Sequence, residues 1–290
     1  SHQLIENKTN LGFAGGHNFA FAKTSSEYVL MLNQDMYLAA DCLEKVVTFL
    51  DNNPSVAGVA PRLMKWDFVE AATDLQKSFT NQVDSLGLKA CRNRRVVEQY
   101  AGQDWIAVRE KLGNKESLSV FGLSGALPIF RRTVLEAVAF PGKEVFDEAY
   151  QSYKEDVDLA YRLAASGANL EVLFTAVAYH DRSAAGAHEL GDVAAVYNKK
   201  AQSAWVKYHS YKNHLMTIYK NEYWQNLILD FPWILWYELK KFVYYLLLDR
   251  AVLGGLKEVW KSRKDLKEKR NFIKKTRKLT WRAMRNLCQR

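Results

Sequence analysis

The sequence predicts an α/β fold: a mainly parallel sheet flanked by helices, followed by a helical, basic C-terminal tail. Three observations predict it. Short apolar runs alternate with helix-period segments through the first half of the chain. An apolar run in "YVLMLNQDMYL", Val29 to Leu32, reads as a fully buried strand that stops abruptly on Asn33, Gln34 and Asp35. Beyond Gly191 the pattern turns all-helical. With 290 residues, 48% of them hydrophobic, the chain can bury a sizeable core.

The elements follow in order. Leu4-Ile5 end a strand, and the Gly-rich loop "NLGFAGGHN" leads into a short helix near Asn18 to Lys23. Tyr28 to Asn33 is a strand. Ala40 to Asn52 carries Leu43, Val46, Val47 and Leu50 at helical spacing and is ended by Asn-Asn-Pro. Val56 to Pro61 is the next strand. Residues 62–120 break the rhythm as a turn-rich insertion, with short strands and a helix near Asp104 to Leu112. "VFGLSGALPIFRR" is a strand entering a helix at about Arg131 to Val138. "YKEDVDLAYRLAASG" is a helix with Gly167 as its C-terminal stop. "LEVLFTAVAYH" is a strand ending on His180. Gly191 to Asn221 reads as one long helix. The domains are then 1–190 for the α/β part, 191–225 for a helical extension and 226–290 for an aromatic, basic tail.

Cys42, Cys91 and Cys288 are widely separated and show neither metal-ligand spacing nor an even disulfide framework, which favours a reducing, cytoplasmic setting. The net charge of +9 is uneven: Lys257 to Arg290 carry +11, leaving −2 for the rest. A near-neutral body argues against a nucleic-acid binder, while the basic tail calls for an anionic partner, lipid or RNA. In "LILDFPWILWYELKKFVYYLLLD" the apolar runs Phe231 to Tyr237 and Phe242 to Leu248 fall well short of the ~20 residues a spanning helix needs. With Trp233, Trp236, Tyr237, Tyr244 and Tyr245 the segment reads as lying in a membrane surface, or as a helical hairpin packed on the body. The basic stretch that follows suits anionic lipid.

Four features can carry chemistry. Asp35, beside Asn33 at a strand end, either serves a turn or offers a carboxylate to a hard divalent cation. Glu155, Asp156 and Asp158 either cap a helix or supply a general base. His180, ending a strand, is either a satisfied histidine or a metal ligand. The Gly-rich loop is either a tight turn or an anion-facing helix entry. In a parallel sheet Asp35, Asp156 and His180 would share one rim.

Taken together, "TNLGFAGGHNFAFAKTSSEYVLMLNQDM", "FGLSGALPIFRRTVLEAV", "FDEAYQSYKEDVDLAYRLAASG" and "AVAYHDRSAAG" resemble, over roughly residues 1–225, family 2 glycosyltransferases of the rhamnosyltransferase-like group. The resemblance implies a GT-A fold and an inverting, metal-dependent transfer from a nucleotide-diphosphate sugar, dTDP-rhamnose or a UDP-sugar. The acceptor would be a glycan or lipid-linked hydroxyl in cell-envelope polysaccharide synthesis. It implies Asp35 and His180 as ligands of Mg²⁺ or Mn²⁺, with Gln34 where the family has proline. It implies Asp156 as catalytic base beside Glu155, and Gly12, Phe13, Gly16 and Asn18 near the donor nucleotide, with Asn33 assigned to the same site. Gly122, Ser124 and Gly125 either permit close approach of an acceptor or serve tight packing of a strand. The family's first strand and nucleobase loop would precede Ser1, so an N-terminally truncated chain is expected. The location expected is the inner face of the cell membrane. The alternative is a non-catalytic nucleotide-sugar or glycan-binding module of the same fold.

Overall fold

A computed structural model describes residues 4–181 and 202–288. The chain divides into two compact units. One comprises Leu30–Phe130, Ala168–Gln202 and the last few residues; the other comprises Ser1–Val29, Arg131–Gly167 and Ser203–Arg285.

The first unit is built on a seven-stranded sheet. Its spine is β3 (Val56–Trp66) beside β9 (Asn169–His180), which run parallel from Val56 opposite Asn169 to Lys65 opposite His180, with register shifts after Val56 and after Pro61. Val59, Leu63, Val172 and Ala178 make them the buried centre. The order is β1 (Tyr28–Leu30), β8 (Ile129–Arg131), β3, β9, β2 (Met36–Leu38), with β4 (Phe79–Ser85) on β3 and β7 (Ser117–Ser119) on β9. The β2–β9, β3–β4, β3–β8 and β7–β9 pairs are antiparallel. The sheet is therefore mixed, not mainly parallel. Parallel direction is imposed only where a long crossover joins neighbouring strands, and the three-residue strands arrive through loops that impose none. β1 also departs from the fully buried strand expected. It is an edge strand, and Leu30 and Leu32 are exposed.

Helix α2 (Cys42–Asn52) covers β3 and β9 with Cys42, Val46 and Leu50, spaced four apart on one face. Leu43 and Val47, expected on that face, point outward. The 62–120 insertion holds a short helix α3 (Phe68–Ala71), β4, the hairpin β5 (Leu88–Ala90) with β6 (Val96–Glu98), and α4 (Trp105–Leu112). The Asp104 carboxylate caps α4 by accepting the amides of Ile106 and Ala107.

The second unit is helical: α1 (Gly12–Lys23), α5 (Arg132–Val138), α6 (Glu155–Ala165), α7 (Ala204–Asn221), α8 (Trp224–Leu229), α9 (Phe231–Leu248), α10 (Gly254–Lys261), α11 (Arg263–Thr276) and α12 (Trp281–Leu287). α1 begins at Gly12, so the expected Gly-rich loop is itself helix. The long helix expected from Gly191 is described from Ala204 on, and its first part lies outside the described residues. The C-terminal helices pack into this unit instead of trailing from it. α7 contacts α6, α10 and α11, with Met216 and Leu266 buried around Tyr150. Among the described residues no helix is long and apolar enough to cross a membrane.

A buried charge network ties these helices together. Lys220 of α7 pairs with Asp147 and, at 3.0 Å, with Asp158 of α6. Asp158 also accepts from Arg162 Nε at 3.0 Å and from Asn221 Nδ2 at 2.7 Å. Lys269 of α11 reaches Asp147 at 2.7 Å. Burial alone would raise the two carboxyls; Lys220, with Lys269 at Asp147 and Arg162 at Asp158, outweighs it and holds both below the usual range.

Candidate active site

β2 and β9 set the first cluster. Their antiparallel register places Met36 opposite His180. Asp35 occupies the turn one residue earlier, and its carbonyl accepts the Asp181 amide at 3.1 Å. The Asp35 carboxylate thereby comes within 3.4 Å of His180 Nε2. His180 is buried and Asp35 is partly open.

The other ring nitrogen, Nδ1, lies 2.9 Å from the carboxylate of Asp84 on β4, which is also buried. An ionised carboxylate only accepts, so this contact assigns the proton to Nδ1 and turns Nε2 toward Asp35. Nε2 and Asp35 Oδ1 are then two acceptors face to face, an arrangement that needs a cation, a proton or a metal ion, to join them. A separation of 3.4 Å suits two ligands of one divalent ion, each bound at about 2.0–2.2 Å. A carboxylate behind a metal-facing histidine is the usual orienting partner of such a ligand. Among the described residues no group of three or more His, Cys, Asp or Glu is placed to hold a metal alone. A Mg²⁺-type ion commonly completes its shell with substrate phosphates and water. Asp84 was not legible: nothing in "TNQVDSLG" marks it, and its partner lies 96 residues away.

Beside this cluster the Asn33 amide donates to the Ala126 carbonyl at 2.9 Å, tying the turn to the stretch Gly122, Leu123, Ser124, Gly125, Ala126. That stretch is wired into the insertion. Gly122 accepts the Leu88 amide at 2.7 Å, and Ser124 Oγ donates to Glu98 at 3.0 Å. Ser85 donates to the other oxygen of Glu98. The small residues therefore pack against β5 and β6.

The second unit holds the remaining residues. At the start of α6 the three acids have three environments. Asp158 is spent in the Lys220–Arg162 network. Glu155 is buried, with Oε2 lacking a partner among the described residues. Burial, then the neighbouring Asp156, pushes its carboxyl up to about 8. Asp156 is half-buried, and its Oδ1 accepts the Val157 amide at 2.7 Å. Of the pair, Asp156 is the more exposed.

The Gly-rich segment is placed differently from the expectation. The amides of Phe13 and Ala14 donate to the Gln151 carbonyl at 3.0 and 3.4 Å, and Gly12 N–H donates to Asn10 Oδ1. The amides that would cradle a phosphate are taken by the protein itself. Asn18 is also engaged: its carboxamide donates to the Phe146 carbonyl and accepts the Phe146 amide, at 2.8 and 2.9 Å. The Phe13 ring packs on His17 and Phe146. Gly16 alone of the four has open space, since a Cβ there meets nothing within 4 Å.

Comparison with known proteins bears on this geometry. Residues 2–138 match the sequence model of Glycosyl transferase family 2. No curated protein matches the chain. Among 67 matching solved chains is a crystal structure of GalNAc-T7 with UDP, GalNAc and Mn²⁺. It has a TM-score of 0.50 and 9% identity over 74% of this chain and 36% of the other. The chain thus spans about a third of that structure's length, and the likeness is one of fold. The α/β fold with a mixed sheet between helices is consistent with GT-A, and the family match supports a glycosyltransferase.

Proposed function

Taking residues 2–138 as a family 2 glycosyltransferase domain, we propose that the chain is an inverting, metal-dependent glycosyltransferase. It transfers a sugar, rhamnose by the sequence resemblance, from a nucleotide-diphosphate donor to a hydroxyl of a glycan or lipid-linked acceptor in cell-envelope polysaccharide synthesis. The observation that carries this is the Asp35–His180 pair with Asp84 behind it. Mn²⁺ beside UDP in the structural neighbour agrees with it. A divalent ion held there by Asp35 and His180 would supply charge neutralisation for the diphosphate leaving group.

The protein's own groups do the rest. Asp84 holds the imidazole in one tautomer, so that Nε2 presents a lone pair. Asp156 takes the proton of the acceptor hydroxyl as its oxygen bonds to the anomeric carbon. The bond from that carbon to the donor phosphate breaks, and the nucleoside diphosphate leaves with the electron pair. Glu155, its carboxyl pushed up to about 8, stays protonated near neutral pH. Screening dTDP-rhamnose and UDP-sugars with Mn²⁺ or Mg²⁺ tests the reading. Asp156→Asn should lower turnover by roughly 10²–10⁴-fold with donor binding kept. Wild-type turnover in that variant would assign the base elsewhere.

Location at the inner membrane face is part of the proposal. Helix α9 is inside out. Its packed face carries Ile234, Lys241 and Tyr245, with Glu238 half-buried beside them, and Glu238 accepts from His214 Nε2 at 2.8 Å and from Lys241 at 2.9 Å. Burial pushes His214 down to about 4, so the neutral ring serves as donor. Outward stand Trp233, Trp236, Leu239, Phe242, Val243, Leu246, Leu247 and Leu248, with Leu247 70% exposed. An apolar and aromatic outer face over a charged inner one suits the headgroup level of a bilayer.

A further inference from the structure

Three of the six non-glycine residues with positive φ among the described residues fall in one four-residue loop, directly before α6. Gln151 has φ 60°, ψ −61°, and the Ser152 amide donates to the Tyr150 carbonyl at 2.7 Å. That is a γ-turn of the rare, strained hand. Tyr153 and Lys154 follow with φ 70° each, and Glu155 and Asp156 come next. Strained backbone persists only where its surroundings over-determine it, and it gathers at functional sites.

Two elements hold this loop. From α1, the Phe13 and Ala14 amides bind the Gln151 carbonyl. Gly12, at φ +69°, is close enough that a Cβ would sit 3.0 Å from that same oxygen. From α7, one fully buried side chain does most of the work. Asn213 Nδ2 lies 3.0, 2.9 and 2.7 Å from the carbonyl oxygens of Tyr150, Ser152 and Tyr153. Its own Oδ1 has no partner among the described residues. Its neighbours on the same helix join in: Lys212 Nζ donates to the Ala149 carbonyl at 3.1 Å, and the Trp205 ring packs edge-on against Tyr153 at 5.5 Å.

We propose that Asn213 is the positioning residue for the catalytic pair: by sharing the two hydrogens of its Nδ2 among the carbonyl groups of Tyr150, Ser152 and Tyr153, it fixes where α6 begins and which way Asp156 faces. This rests on the glycosyltransferase reading for its consequence, not for its geometry. The structure thereby assigns the Gly-rich segment a mechanical task, clamping the opposite side of the same loop.

The test uses the full chain with Asn213→Ala. Amide hydrogen exchange over residues 149–154 should rise roughly tenfold or more, while β3 amides keep their protection. For the donor that supports transfer, kcat should fall about a hundredfold with KM changed less than about threefold, the pattern of a misplaced group and not of lost binding. Unchanged loop exchange, or a uniform rise that includes β3, overturns the proposal. Should Asn213→Ala fail to fold, Trp205→Leu at a half-exposed site is read in the same way through Tyr153, and again unchanged exchange overturns it. A wild-type chain that transfers no sugar from any donor contradicts the functional reading, while the exchange result still decides whether Asn213 holds the loop.

Discussion

At the scale of single residues, α6 shows how environment divides chemically similar groups. Glu155, Asp156 and Asp158 lie within four positions. One is buried with an unpartnered oxygen, one is accessible, and one is locked to Lys220 and Arg162. The residue pattern singled out all three and the resemblance picked Asp156 with Glu155; what sets Asp158 apart, Lys220 and Asn221 of α7, lies more than sixty positions away. The raised Glu155 pKa has a consequence for stability. Between about 4.5 and about 8 the folded chain keeps a proton that the unfolded chain has released, so stability falls as pH rises through this window. Glu155→Gln removes the titration. Its Tm should gain on wild type as pH goes from about 5 to about 8, by roughly 2–4 °C per kcal/mol relieved. A Tm difference independent of pH would contradict the assignment.

At the scale of elements, α7 decides more than its sequence suggests. Its basic, aromatic pattern reads as an extension beyond the α/β part. In the structure Lys220 is the counter-charge to two buried carboxylates. Lys220→Met should destabilise the chain by roughly 3–5 kcal/mol in urea unfolding, since it removes the fully buried cation that Asp147 and Asp158 share and leaves each with a single cationic partner, Lys269 and Arg162. A loss under about 1 kcal/mol would show that the network carries little of the fold's stability. Both carboxyls are held low, so the stability they contribute is fully present above about pH 4 and is lost as pH falls through their folded values. Strands and helices with strong periodicity, such as α2, α4, α6 and β9, were legible to within a few residues. Two things were not. Glycines disfavour helix, so a helix starting at Gly12 read as a loop. Strand direction is set by which strands become neighbours, and local pattern does not encode that.

At the scale of the whole molecule, the +11 of the C-terminal stretch proves to be divided labour. Lys269 pairs with Asp147 and Arg285 with Asp230, while the Arg277 guanidinium stacks 3.8 Å from the Tyr223 ring. Other cations, Lys257, Lys261, Lys264, Lys267, Lys274 and Lys275 among them, are exposed. Net charge alone could not tell the two groups apart. The exposed set, with the outer face of α9, should carry the chain with anionic but not neutral vesicles in flotation. Replacing Trp236 and Leu247 by Ser should weaken that. Equal behaviour toward both lipids would remove the membrane proposal.

The central claim is that Asp35 and His180, oriented by Asp84, hold a divalent cation. The sequence supplied the first two because each ends or follows a strand; the third came from a register that only the folded sheet sets. The most direct test is a Mn²⁺ titration of the folded chain in the presence of UDP. Asp35→Ala and His180→Ala should abolish binding, and Asp84→Asn should weaken it by about 10–100-fold. Wild-type Mn²⁺ affinity in all three folded variants would contradict the account.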